Sequence, residues 1–479
     1  MVENIAIVKL YGHTVGAVVW VQNKGHAVFE YDNDFVSKGC SLSPIHMPLT
    51  KGTRYSFSGL NPETFKGLPG LLADSLPDKF GNDLINIWLA QKGLSTSNFS
   101  PVDRLCYQGT RGMGALEFFP LIDNGFEASI AIEIKHLVDI TQKALSHKND
   151  LDVYFDGSEP ERRQAIAQIL SVSTSAGGAR PKAVLAINSE GHVLSGQTQA
   201  PEGYEHWLLK FDGVTDSQLG EPQDYGKIEY AYHLMAKDAQ INMTECRLLE
   251  ESGRHHFMTR RFDREDSRKI HMQTLCGLCH YDYSSPGSYS YEQAFAVMRS
   301  LKLPKSDAEQ QFRRMIFNVI TRNQDDHTKN ISFLMDNSGE WHLSPAYDVT
   351  YSHNPAGHWT NQHQMSINGK RDDFKRNDFK IVGDSIGIKN TDEIIDQIID
   401  VVSQWTQYAQ LAGLEKQRIE KIANGHRILA FGGTKAGGSV GKAAKKMAKA
   451  VVPGDLGHAE ELDTVPTEKR TVDDRDGMK

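Results

Sequence analysis

Apolar and polar residues alternate through Ile5–Tyr11 and again through Thr14–Tyr31, with Asn23, Lys24 and Gly25 interrupting the second run. A period of two places alternate side chains on opposite faces of a pleated strand, so this stretch predicts a β-meander. The spacing then changes. Pro77 precedes a run, Asp78–Leu89, in which Leu84, Ile85, Trp88 and Leu89 share one helical face; that helix is expected to pack on the meander. A glycine-rich turn, Gly109–Gly114, runs into Ala115–Phe119, and the acidic Asp123–Glu127 marks a connection near residue 125.

Further along, Glu161–Leu170 has helix-forming composition, Ala183–Ile187 and His206–Phe211 have strand composition, and Ile228–Ala239 is a helix offering Tyr232, Met235 and Ala236 to a core. Helical spacing dominates from Tyr291, in Tyr291–Leu301, Ala308–Arg322, Glu393–Leu411 and Glu415–Ile428. The pattern divides the chain into a β-rich subdomain (1–125), a glycine-loop lobe (126–265), a helical lobe (266–431) and a tail (432–479). Within the tail, Gly432, Gly433, Gly437 and Gly438 precede the basic amphipathic Lys442–Val451, and the polar remainder reads as flexible.

Composition narrows the class. The 479 residues carry 39% hydrophobic and 24% charged residues, which suits a globular enzyme. A formal charge of −8 argues against a surface built for nonspecific DNA attraction, while leaving room for a local basic face. The opening MVENIAIVKLYG lacks the layout of a secretory signal, and no run reaches the roughly 18 apolar residues of a membrane span. The five cysteines, Cys40, Cys106, Cys246, Cys276 and Cys279, are scattered and odd in number. They predict reduced thiols and a cytoplasmic protein with no membrane contact.

The chemistry concentrates in Asp325-Asp326-His327-Thr328-Lys329-Asn330, a hairpin-like Ile331–Ser344 and then Asp348. Phosphoryl transfer needs a carboxylate to orient or deprotonate the acceptor hydroxyl, and an amide oxygen plus another carboxylate to hold Mg²⁺ on the phosphates. Asp325 and Asn330 have the five-residue offset of a kinase catalytic loop, and the hairpin can return Asp348 beside Asn330 as a second metal ligand. Asp326 is the rival base; the spacing favours Asp325. Taken alone, Asp and Asn in a loop serve as turn and capping residues.

Other parts supply what that loop lacks. Ser175-Ala176-Gly177-Gly178-Ala179-Arg180-Pro181-Lys182 offers glycine backbone amides and cationic side chains to phosphates, without Walker A spacing. Its plain alternative is an ordinary linker. Lys210, ending a strand, can neutralise phosphate charge, and Glu229 can orient it; the simpler readings are a solvated strand-end lysine and a first-turn glutamate favoured by the helix dipole. Cys276-Gly277-Leu278-Cys279-His280 matches a haem-attachment spacing. Covalent haem attachment implies export, however, and His255, His256 and Cys246 complete no standard zinc spacing, so two small buried cysteines are the expectation.

Assembled, these segments resemble the HipA family of Ser/Thr protein kinase toxins from type II toxin–antitoxin pairs. The resemblance runs from the β-rich start to about residue 430. It is carried by Leu72–Asp78, Gly109–Glu117, Ser175–Lys182, His206–Gly213, Thr259–Arg264, His271–His280, Ser288–Gln293, Asn323–Asn330 and Ser344–Val349. It implies an α+β, bilobal protein-kinase-like fold with an added N-terminal β-rich subdomain and a mainly helical C-terminal lobe. By the same resemblance, ATP would lie against Gly177, Gly178, Ala179, Arg180, Pro181 and Lys182, with Lys210 on the nucleotide. Arg260, Arg261 and Phe262 would form the adenine-side hinge, and His327, Thr328, Lys329, Asn330, Tyr347 and Asp348 would border ATP. Asp325 would be the base, and Asn330 with Asp348 would hold Mg²⁺.

Ser175 matches the family's inhibitory autophosphorylation position, with Ser173 and Thr174 as neighbouring acceptors; the added negative charge would oppose the phosphate-binding loop. The implied partners are a small helix-turn-helix, HipB-like antitoxin, operator DNA reached through it, and a protein substrate in translation such as an aminoacyl-tRNA synthetase. Ala179-Arg180-Pro181 departs from better-known members, and the tail lies outside the resemblance. Two other classes stay open on the residues: a small-molecule kinase acting on a sugar or aminoglycoside, and a catalytically silent kinase-like scaffold for antitoxin and DNA.

Overall fold

A computed structural model describes residues 4–122, 133–146, 180–197, 200–214, 224–265, 268–432 and 452–453. The expected Glu161–Leu170 helix, the loop residues Ser173, Thr174, Ser175, Gly177, Gly178 and Ala179, and the basic stretch Lys442–Val451 lie outside them.

The alternating start forms a meander as its period requires: β1 (Ile5–Leu10), β2 (His13–Val21) and β3 (His26–Tyr31), with β4 (Arg54–Tyr55) and β5 (Leu116–Phe119) added at the edges. The sheet order is β4-β3-β2-β1-β5, antiparallel throughout. Ala6, Val8 and Leu10 alternate inward, while Ile5 and Ile7 face out. The Pro101–Gln108 helix, started by a Ser100–Asp103 capping box, lies on this sheet.

A second sheet is built from β6 (Lys182–Asn188), β7 (Val193–Ser195), β8 (Tyr204–Lys210), β9 (Cys246–Glu251) and β10 (Arg254–Arg260). Its order is β9-β10-β8-β6-β7, and Val452–Pro453 adds a short parallel strand on β9. The Tyr225–Asp238 helix crosses this sheet, burying Tyr232, Met235 and Ala236 as its spacing predicts. A short hairpin, β11 (Arg264–Glu265) and β12 (Arg268–Lys269), leads to a three-stranded sheet of β13 (His271–Thr274), β14 (Ser332–Met335) and β15 (Trp341–Leu343). The Tyr291–Ser300, Lys305–Thr321, Arg376–Ser385, Thr391–Ser403, Trp405–Leu411 and Lys416–Gly425 helices complete this part, with Lys305–Thr321 against β15 and Trp405–Leu411 against the Tyr225–Asp238 helix. No helix among the described residues is long and apolar enough to cross a membrane.

Two expectations are corrected. The Lys79–Gln91 helix forms where predicted, started by the Asp78 side chain accepting from Gly81 N–H. Yet Leu84, Ile85, Trp88 and Leu89 pack with Ala183, Leu185, Trp207 and Leu209 of the second sheet, not with the meander. Periodicity defines an apolar face and is silent about which surface covers it. The run expected as one helix over Glu393–Leu411 breaks at Gln404, which ends Thr391–Ser403 and begins Trp405–Leu411. The break lets the Trp405 indole donate to Ile419 O at 3.0 Å.

The β-rich subdomain is joined to the rest by buried polar contacts. Asp74 accepts from Thr274 N–H at 2.8 Å and from Thr274 Oγ1 at 2.9 Å. Gly70 and Gly277 face each other so closely that a Cβ on either would collide, with the Gly277 carbonyl in one case and the Asp74 carboxylate in the other. The Cys-Gly-Leu-Cys-His run belongs to this seam. Cys276 and Cys279 are buried free thiols, and His280 accepts from Gly70 N–H at 3.0 Å while stacking on His46 at 4.3 Å.

Candidate active site

Lys210 closes β8 directly opposite Lys182 of β6, so the two ammonium-bearing side chains share one face of the sheet. Like charges in register repel, and nearby carboxylates offset them. Lys210 Nζ lies 2.5 Å from Glu229 Oε1, on the crossing helix, and also contacts Asp348. The Lys210–Asp348 contact joins residues 138 positions apart. Burial acts against the Lys210 ammonium, but Asp348 and Glu229 outweigh it and hold its pKa above the ordinary lysine value. Burial would likewise raise the Asp348 carboxyl; Lys210 and Lys182 instead bring it down to about 2. Glu229 is pushed up, first by burial and then by Asp348 across the shared ammonium. Burial lowers the Lys182 ammonium.

The Lys305–Thr321 helix ends on Arg322, whose positive φ of 60° turns the chain into the Asn323–Asn330 loop. Asn330 Nδ2 donates to Asp325 O at 2.8 Å and closes that loop. Its Oδ1 takes no protein hydrogen bond among the described residues. Asp325 and Asp326 are separated by their surroundings. Asp326 is 3% exposed, and it accepts from Tyr291 OH at 2.9 Å and Gln364 N–H at 2.8 Å, with His363 Nδ1 at 2.9 Å. Asp325 faces outward, its side chain 40% exposed, with Oδ1 receiving the Trp359 indole N–H at 2.5 Å. Burial raises the Asp325 carboxyl, and His327 and Trp359 partly offset that.

The other expected residues fall around this centre. His327, lowered by burial, sits 5.3 Å from the Tyr283 ring, and Lys329 lies over that ring at 4.7 Å. Thr328 Oγ1 is spent on Tyr281 O at 2.7 Å. Tyr347 donates to Lys329 O at 2.6 Å and sits 5.7 Å from Phe262, ring to ring. Arg180 stacks on Tyr225 at 3.3 Å, beside Pro181, whose carbonyl accepts from Phe211 N–H at 3.3 Å. Arg260 is on the rim with Glu205 at 3.3 Å, and the Arg261 guanidinium turns away to fork onto Asp263 at 2.9 and 2.7 Å. Thus Lys182, Lys210 and Asp348 come together, Asp325 lies within reach of the Asp348 charge and Asn330 holds the Asp325 carbonyl, whereas the side chains of Thr328 and Arg261 are committed elsewhere.

Sequence reasoning missed Trp359, and it missed Asp78, whose carboxyl is raised by burial to about 6 while Lys182 pulls it back. Asp78 had a signal, being within the Leu72–Asp78 segment. Trp359 had none, because its loop has no periodicity.

A lysine on an antiparallel sheet paired with a glutamate on the crossing helix, together with an Asp-x-x-x-x-Asn loop and a later aspartate on a helical lobe, defines a bilobal, protein-kinase-like α+β architecture. Residues 6–119 match the family model of the HipA N-terminal domain, and residues 174–406 match that of the HipA-like C-terminal domain. The chain belongs to the HipA family. HipA of Shewanella oneidensis MR-1, solved with HipB and its operator DNA, is 15% identical with a TM-score of 0.61, covering 89% of this chain and 96% of that one; the likeness establishes a shared fold. The Helicobacter pylori proinflammatory kinase CtkA gives 13% identity and a TM-score of 0.29 over 47% of this chain and 91% of its own, a likeness that decides nothing. No curated protein matches significantly.

Proposed function

We propose that the chain is an ATP-dependent Ser/Thr protein kinase and the toxin of a toxin–antitoxin pair. The observation that carries this reading is the meeting of Lys210, Glu229 and Asp348, whose charge reaches Asp325 on the loop that Asn330 closes. Two lysines in register on one sheet face suit an anionic ligand. Asn330 Oδ1 and the Asp348 carboxylate are hard oxygen donors, so the residues fit Mg²⁺. When bound, Mg²⁺ supplies charge neutralisation on the phosphates.

In this mechanism Lys210, oriented by Glu229, releases its contact with Asp348 and takes the α- and β-phosphates. Lys182 adds a second positive charge, and Tyr347 with Phe262 supports the adenine side. Asp325 Oδ2 receives the proton of the acceptor hydroxyl as its oxygen bonds to the γ-phosphorus and ADP leaves. Asp326, occupied by three partners, keeps the loop in shape. Phosphorylation at Ser175 is the proposed brake, and 1–125, 126–265 and 266–431 are the proposed units, followed by the segment 432–479.

Family membership, and the HipB and operator DNA in the Shewanella complex, support a helix-turn-helix antitoxin partner and DNA reached through it. We assign a translation protein as substrate and the cytoplasm as compartment on the same family grounds. The test is γ-labelled ATP with purified chain and whole lysate, followed by mass spectrometry of labelled proteins. Label on serine or threonine of a translation protein, abolished by Asp325→Ala with ATP binding retained, is the expected result. Label confined to small molecules would instead indicate a small-molecule kinase, and unchanged transfer by the variant would remove Asp325 from the mechanism.

A further inference from the structure

The segment between Tyr351 and Met365 has no regular structure, yet it is fixed at several points by the loop it covers. Asp326 Oδ1 accepts from Gln364 N–H at 2.8 Å, and Asp326 Oδ2 lies 2.9 Å from His363 Nδ1. The Gln364 side-chain amide then donates to the carbonyls of Trp359 and, at 3.3 Å, of Gln324. Trp359 in turn donates its indole N–H to Asp325 Oδ1 at 2.5 Å. The buried member of the Asp325–Asp326 pair therefore anchors the loop that holds its exposed neighbour.

This matters because an aspartate's two oxygens become inequivalent once one is held. An indole N–H donates only, so it can fix a carboxylate oxygen without competing for the acceptor's proton. His327 Nε2, 3.8 Å from the same Oδ1, reinforces the asymmetry. Oδ2 has no protein donor among the described residues. Asn330 Nδ2, on the backbone carbonyl of Asp325 at 2.8 Å, fixes the main chain beneath it.

We propose that Trp359 is a positioning residue: its indole N–H holds Asp325 Oδ1 so that Oδ2 is presented to the acceptor hydroxyl, and Asp326 sets Trp359 in place through Gln364. The inference rests on the kinase reading above and adds to it a residue 34 positions from the aspartate it orients.

Two readouts on the full-length chain test it. Trp359→Phe keeps an aromatic ring and removes the donor. Its kcat for phosphotransfer is expected to fall about 10- to 100-fold, the cost of a misaligned catalytic group, while the nucleotide KM and the melting temperature stay at wild-type values. A kcat within about twofold of wild type, when Asp325→Ala is inactive, would overturn the assignment and leave the kinase reading intact. Full activity of Asp325→Ala would overturn both. Independently of turnover, ¹⁵N spectra of the six tryptophan indoles should lose one N–H signal in Trp359→Phe, and that signal should move in Asp325→Ala. A signal that stays in place would remove the contact and, with it, the proposal.

Discussion

Two buried charge clusters lie at opposite ends of the β8–β10 pairing in the second sheet, one at Arg261–Arg264 and one at Lys210, and they differ in what their charges face. In the first, Arg261 and Arg264 close on Asp263 with all three side chains almost fully buried. Asp263 also accepts from Gly114 N–H at 2.7 Å, and Arg264 donates to Gly112 O and Gly114 O, each at 3.0 Å. These contacts link Asp263 and Arg264 to the glycine turn of the β-rich subdomain. In the second, Lys210 holds Glu229 and Asp348, but Asp348 remains 27% exposed and Lys182 sits in register alongside. The first cluster is closed and acts as a weld. The second is open at its partly exposed Asp348 carboxylate, although Lys210 and Lys182 are themselves largely buried. Ion pairs of similar geometry thus differ in whether the surrounding chain completes them, and the incomplete one is where the proposed chemistry would fall.

The sharpest break in this comparison comes from the open side. Asp325→Ala should lower phosphotransfer by about 10²- to 10⁴-fold, measured in single turnover, while a nucleotide-induced rise in melting temperature survives. The closed side should respond in the opposite way. Asp263→Asn leaves two guanidiniums without a counter-charge and is expected to cost about 3–5 kcal/mol of stability in urea unfolding; a variant as stable as wild type would dissolve the weld. The sign with pH follows from the same cluster. Burial opposes ionisation of Asp263, but Arg261 and Arg264 hold its carboxyl well below the unfolded value. Its stabilisation is therefore present above about pH 4 and is lost as pH falls toward the folded value. Asp263→Asn should flatten that acid limb.

A smaller effect tests the open cluster's capacity for a ligand. Mg²⁺ and ATP at about 100 times the dissociation constant should add about 2.7 kcal/mol of stability, and Asp348→Asn should abolish the Mg²⁺-dependent part. The smallest effect belongs to a pair that is neither weld nor site. Lys416 and Glu420, 3.8 Å apart and 90% and 62% exposed, should tolerate Lys416→Ala with less than about 1 kcal/mol of change.

Legibility in the sequence followed the range of the interaction. The Asp325 to Asn330 spacing and the strand-end position of Lys210 were readable because the loop and the strand are local objects. The Lys79–Gln91 helix was readable as an apolar stripe, but its burial against Trp207 and Leu209 was not. Trp359 was unreadable, since an aperiodic loop gives no sign of which carboxylate its indole will meet. Arg261 was expected beside ATP by resemblance, and its guanidinium lies on Asp263, two residues along.

By itself, the spacing of apolar and polar positions determined most of the strands and helices, because each depends on neighbours within a few residues, while the motif segments carried the family resemblance. Only the tertiary structure decided which aspartate is enclosed and which is presented, which lysines share a face, and where the Lys79–Gln91 helix is covered. Those choices depend on desolvation and on partners up to 138 positions away, and burial of that kind is a property of the packed molecule.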